Sequence, residues 1–121
     1  MKIERFEDIE SWIAARLLVQ HVYRYFSGSK DYGFKDQIQR AAVSIMANIA
    51  EGFDRGSNKE FIQYLVIARG SLAEVNSLSY AALDIGYLTE PQFSELSLQC
   101  TKLSNLINGF IRYLGKTDRK R

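Results

Sequence analysis

The chain has 121 residues, 46% of them hydrophobic, one proline and a formal net charge of +2, which is about one domain's length with enough apolar content for a core. Its single cysteine, Cys100, excludes an internal disulfide, and its single histidine, His21, leaves too little soft ligand for a zinc or di-iron centre, so no metal, cofactor or redox role is expected. No stretch approaches the ~18 uncharged apolar residues of a membrane span, and the opening MKIERFEDIE is charged where a signal peptide is apolar, so a cytoplasmic chain without membrane contact is expected.

Helix one is expected over residues 8–27, with Asp8 as its cap and Trp12, Ala15, Val19, Val22 and Phe26 recurring at helical spacing. The segment SGSKDYG (27–33) reads as a loop, and helix two, over 36–53, opens on a capping box of Asp36 and Gln39. Gly52 and Gly56 flank Asp54 and Arg55 and end it. Ser57, placed before Glu60 as in a capping box, begins helix three over 58–86.

Helix three carries Phe61, Leu65, Ala68, Leu72, Val75, Ala82 and Ile85 on one side. Ile62, Val66, Ile67, Leu78 and Ala81 widen that surface, so the helix is expected to meet more than one neighbour. Gly70 lies in its interior, where glycine costs about 1 kcal/mol relative to alanine. With Ala68 and Ser71 beside it, Gly70 points to a close approach of another helix or another subunit. Gly86 stops the helix; Thr89 and Gln92, with Pro91 in the first turn, open helix four over 90–114.

Helix four has the strictest apolar repeat of the chain: Phe93, Leu96, Cys100, Leu103, Ile107, Phe110 and Leu114. Four helices with three short connections predict an all-α fold, an antiparallel up-down-up-down four-helix bundle over residues 1–115, followed by a basic tail, 116–121. Residues 1–114 carry 12 basic and 13 acidic side chains while residues 115–121 carry four and one, so the excess positive charge is in the tail.

One polar line, Arg40, Ser44, Asn48, Glu51 and Arg55, runs down helix two. Glu51 is expected to pair with Arg55 one turn on, and Asn48 to hydrogen-bond a neighbouring helix or its cap. A buried asparagine and glutamate would then fix the register of the bundle at the junction formed with Gly52, Ser57 and Glu60.

The segments RAAVSIMANIAEG (40–52), SNKEFIQYL (57–65) and ARGSLAEV (68–75), in that order, resemble the bacterial four-helix bundle protein family, also described as the 23S ribosomal RNA intervening-sequence proteins. The likeness runs from FEDIESWIAA to INGFIRYL. The resemblance implies a small antiparallel bundle assembled as a homopentamer, with no catalytic residues. The family includes a relative, the accessory protein of diversity-generating retroelements, from which only the idea of a scaffold carries over, because this chain departs from it in charge and is only mildly basic outside the tail. RNA or a nucleic-acid-processing protein is the partner class to be tested. Met46 stands where many members have proline, so the resemblance does not carry a kink in helix two over to this chain.

The one conventional nucleophile and base pair is Cys100 with His21. Cys100 occupies an apolar position of helix four, and His21 is expected on the outer side of helix one, between Gln20 and Arg24. There is no GxxxxGK or GxGxxG loop for a nucleotide. No enzymatic activity is expected.

Nucleic-acid binding has a clearer basis. Lys102, Arg112 and Lys116 can share the outer side of helix four and lead into Arg119, Lys120 and Arg121, a cluster that a ring would repeat by symmetry. The competing expectation is a protein-interaction oligomer that never touches nucleic acid, for which the surplus apolar surface of helix three is the reason.

Overall fold

The computed structural model describes residues 3–117. After a 3₁₀ turn at Phe6–Asp8 come four helices: α1 Glu10–Phe26, α2 Tyr32–Phe53, α3 Asn58–Ile85 and α4 Glu90–Lys116. Each helix packs against the next, and α1 closes the circuit against α4, while the diagonal pairs α1 with α3 and α2 with α4 do not pack. The protein is thus an all-α four-helix bundle in which consecutive helices run antiparallel.

The core is built from the inward residues of all four helices. They are Ala15, Leu18, Val22 and Phe26 of α1, and Ile38, Ala42, Ile45 and Ile49 of α2. α3 supplies Phe61, Leu65, Ala68 and Val75, and α4 supplies Leu96, Leu103 and Ile107. Leu18, absent from the expected stripe of the first helix, is fully buried, while Trp12 and Val19 are only partly covered. The seam leans one residue away from the sequence estimate because α1 shares its apolar face between α2 and α4. Ile85, expected inside, is 56% exposed at the end of α3. There the chain turns away, and Leu88 is buried in its stead.

Two helix starts differ from the sequence reading. Asp8 lies in the 3₁₀ turn, and α1 begins at Glu10 behind Ile9, with no side-chain cap. Ile9 is buried, and Phe6 meets Trp12 edge-on at 5.1 Å, so apolar packing sets the entry of this helix in place of a carboxylate. α2 begins at Tyr32, ahead of the expected Asp36, with Asp31 accepting from the backbone N–H of Phe34 at 3.2 Å. The Tyr87 hydroxyl also donates to Asp31, at 2.7 Å, and holds its carboxyl below the usual aspartate range with help from the Phe34 N–H. Asp36 instead accepts from Arg40 at 2.9 Å.

The later boundaries follow local chemistry. Ser57 caps α3 through the Glu60 N–H at 3.3 Å. Gly86, at φ 85°, ends the helix in a left-handed turn that glycine adopts without Cβ strain: the Tyr87 N–H bonds Ala82 O at 2.8 Å and the Gly86 N–H bonds Leu83 O at 3.1 Å. α4 opens on the reciprocal capping box of Thr89 and Gln92. It runs to Lys116, beyond the expected Leu114, because Asn58 of α3 supplies hydrogen-bond partners at its end. Asn58 Nδ2 donates to Thr117 O at 2.6 Å and to Thr117 Oγ1 at 3.0 Å. α2 is continuous through Met46.

Candidate functional site

The polar line of α2 divides into three arrangements that serve the chain itself. Arg40 is exposed and paired with Asp36. Asn48 Nδ2 donates to Ser44 O at 2.8 Å and Ser44 Oγ at 3.0 Å, so it stays within α2 and does not reach a neighbouring helix as expected. The cross-helix bond is made one turn earlier, between the hydroxyls of Ser44 and Ser71 at 2.9 Å. Glu51, expected to be buried, is exposed.

At the α2–α3 junction Arg55 donates to Glu51 at 2.9 Å and to the hydroxyl of Tyr64, and its guanidinium carbon stands 4.8 Å over the Tyr64 ring. Tyr64 OH in turn donates to Glu51 at 3.1 Å. Gly52 lies beneath this cluster, where a Cβ would stand 2.7 Å from Tyr64 Cβ and 2.8 Å from Phe61 Cδ1. Only glycine lets α2 and α3 approach so closely there. The junction is a structural clasp, and its hydrogen-bonding capacity is used internally.

Ala68 is fully buried in the core. Gly70, expected to allow close helix contact, has nothing within 4 Å of where its Cβ would be, so no helix of the same chain approaches it.

Cys100 and His21, the one conventional nucleophile and base pair that the sequence offers and from which no catalysis is expected, lie in different surroundings. Cys100 faces the α3 side, beside Arg69, Leu72 and Asn76, and burial pushes its thiol up to about 11. His21 is not on the outer side of α1. Its imidazole is half-buried against α4, with Nδ1 at 3.3 Å from Glu95 Oε1 but outside hydrogen-bond geometry. Tyr25 stacks against His21 with ring centroids 6.0 Å apart and donates to the same Glu95 oxygen at 2.6 Å, a bond that raises the phenol above its usual range. This cluster ties α1 to α4.

The cations of α4 fall into two groups. Arg112 and Lys116 are exposed, one turn apart on the outer face, and among the described residues neither lies within ion-pairing distance of a carboxylate. Lys102 stands apart from them, on the rim of a groove between α1 and α4 whose other rim carries Arg16. Arg119, Lys120 and Arg121 lie outside the described residues.

Charge is divided across the bundle. α1 and α4 carry Arg16, Arg24, Lys102, Arg112 and Lys116 against Glu10, Glu90 and Glu95. α2 and α3 carry Lys35, Arg40, Lys59 and Arg69 against Asp36, Glu51, Glu60, Glu74 and Asp84. Asn58 is the residue that sequence reasoning missed. Its partners lie 59 residues away, and the only local signal was its place directly after the Ser57 cap.

The family model for the 23S rRNA-intervening sequence protein matches residues 7–109. The chain belongs to this family. A solved structure of a protein of unknown function from the S23 ribosomal protein family of Bacteroides thetaiotaomicron is similar to it, with a TM-score of 0.79 and 23% identity over 84% of this chain and 98% of that one. At that identity the likeness speaks for the fold alone. No curated protein matches significantly. Among the described residues no cluster of three or more His, Cys, Asp or Glu side chains is placed to hold a metal ion, and no helix is long and apolar enough to cross a membrane.

Proposed function

We propose that this member of the 23S rRNA-intervening sequence protein family is a non-enzymatic scaffold that self-associates and holds an anionic polymer, RNA first, along the outer end of α4. The observation that carries this reading is the pair Arg112 and Lys116, exposed on one face, free of carboxylate partners among the described residues and continuous in sequence with Arg119, Lys120 and Arg121. Asn58 anchors the helix end from which that basic segment departs. A few cations per subunit bind weakly. Repeated by the symmetry of an assembly they act together, because each further contact forms at high effective concentration. Every phosphate neutralised on a single strand adds about −0.7 to the log–log slope of affinity against salt.

The test is a fluorescence-anisotropy titration with single-stranded and structured RNA over a salt series. The variant alongside is Lys116→Gln, Arg119→Gln, Lys120→Gln and Arg121→Gln, which keeps Thr117 and hence the cap made by Asn58. Binding that weakens with salt and is reduced in the variant supports the reading. Absence of binding at low salt overturns the RNA half. The second reading is a protein-interaction oligomer with no nucleic acid. It is favoured by the apolar side chains left exposed on α3, Val66 and Ile67, and early elution of the chain from heparin would support it.

A further inference from the structure

α1 and α4 are the least closely packed of the four neighbouring helix pairs, and between them runs a groove of about 750 Å³. Its apolar lining is open to solvent: Leu98 is 72% exposed, Ile13 51% and Leu17 46%. Arg16 and Lys102 stand on its two rims, and among the described residues neither has a carboxylate within ion-pairing distance. A second cleft, of about 430 Å³, continues it along α4 to Tyr113, sharing Glu10 and Leu106. From Leu98 to Tyr113 a helix advances roughly 22 Å, long enough to seat four turns of another helix.

The opposite edge of the bundle, formed by α2 and α3, presents a complementary ridge. Ile67 and Val66 are 51% and 43% exposed. Beside them Gly70 leaves the backbone of α3 bare, with nothing within 4 Å of the space its side chain would occupy. A glycine in a helix interior is unfavourable by about 1 kcal/mol, and packing within the chain gives no return for it. Glu74, one turn further on, is exposed and anionic, and the α2–α3 half of the bundle has the acidic balance where the α1–α4 half has the basic one.

We propose that the α1–α4 groove of one copy receives the α3 ridge around Gly70 of a second copy, with Arg16 and Lys102 meeting the acidic side of that ridge. This deepens the self-association in the proposed function and rests on it. The two surfaces are different and lie on opposite edges, so the contact is heterologous. The subunit that gives its groove keeps its ridge free and the one that gives its ridge keeps its groove free, so the contact propagates until rotation closes a ring. The apolar floor provides the stabilisation, and the bare backbone at Gly70 lets the ridge sink between α1 and α4. The charges set orientation and encounter rate.

The test uses two variants, one at each surface. Leu98→Asp places a charge on the floor of the groove; Gly70→Leu fills the ridge. Both sites are solvent-exposed, and circular dichroism checks that each variant stays folded. Native mass spectrometry and sedimentation velocity then read the assembly at one protein concentration. Wild type is expected to form a discrete oligomer and each variant alone to be monomeric. The equimolar mixture is expected to give a dimer of one subunit of each kind and nothing larger, because the sound groove of the Gly70→Leu chain still accepts the sound ridge of the Leu98→Asp chain. If wild type assembles but the mixture does not dimerise, or if either variant alone assembles as wild type does, the two surfaces are wrong while self-association stands. A monomeric wild type overturns both, and leaves the groove to a foreign helix.

Discussion

Replacing Gly52 by alanine adds one methyl group where α2 and α3 meet, and the structure fixes what that methyl would strike. The new Cβ would stand 2.7 Å from Tyr64 Cβ and 2.8 Å from Phe61 Cδ1. Tyr64 Cβ is bonded to the α3 backbone and cannot rotate aside, so the helices must separate at the clasp of Glu51, Arg55 and Tyr64. Overpacking of this kind costs about 1–3 kcal/mol, and alanine in place of glycine returns about 1 kcal/mol of helix propensity. Because the clash is with fixed atoms, the cost sits at its upper end, leaving a net loss of about 2 kcal/mol. For a domain of this length that lowers the melting temperature by roughly 6–10 °C.

The assay is thermal unfolding followed by circular dichroism, at a single protein concentration so that any self-association weighs equally. Gly109→Ala is the control. There the nearest atom, Arg112 Nη2, is at 3.8 Å, an ordinary contact, and the variant is expected to melt at or a few degrees above wild type. A Gly52→Ala protein that melts with or above wild type would refute the close-approach argument.

Asn58→Ala removes the donor to Thr117 O and Thr117 Oγ1 and is expected to cost about 1–2 kcal/mol, read as a lower melting temperature together with faster amide exchange confined to the last turn of α4. Asp31 is depressed in the folded chain by Tyr87 and the Phe34 N–H, so its contribution is present above the ordinary aspartate range and is lost as pH falls through and below it. A melting series from pH 6 to pH 2 should therefore decline less steeply for Asp31→Asn than for wild type, and equal slopes would count against the Tyr87 link. Cys100 is 4% exposed with its thiol pushed up to about 11, so alkylation by iodoacetamide at pH 8 is expected to be slow in buffer and to accelerate with added denaturant. Rapid alkylation of the native chain would contradict its buried place on α4.

Much of the fold was legible because its signals are local. The Ser57 cap, the Thr89 and Gln92 box and the Gly86 stop each depend on residues within about one turn, and all three stand where the sequence puts them. The apolar repeat of α4 likewise carries its own register, and Leu96, Cys100, Leu103, Ile107 and Leu114 are buried. Where a local signal competed with packing, packing won. Asp8 and Asp36 are sound caps by composition, yet buried Ile9 sets the start of α1, and Tyr87, reaching 56 residues back to Asp31, helps set that of α2.

The site was less legible, since its meaning depends on which helix faces which. Spacing alone put Lys102 with Arg112 and Lys116. The bundle instead sets Lys102 across a groove from Arg16 and leaves the other two outside it. His21 has polar neighbours in sequence but lies against α4, with Glu95 across from it. Gly52 and Gly70 look alike in a helical sequence, yet one has Tyr64 and Phe61 pressed against it and the other has open space. The sequence by itself determined that there are four helices, where most of them stop and which stripes are apolar, since helix formation and capping act over three or four residues. Only the tertiary structure decided which glycine is indispensable, which cations stand together and which side chains tie the helices to one another, because those depend on contacts between residues tens of positions apart.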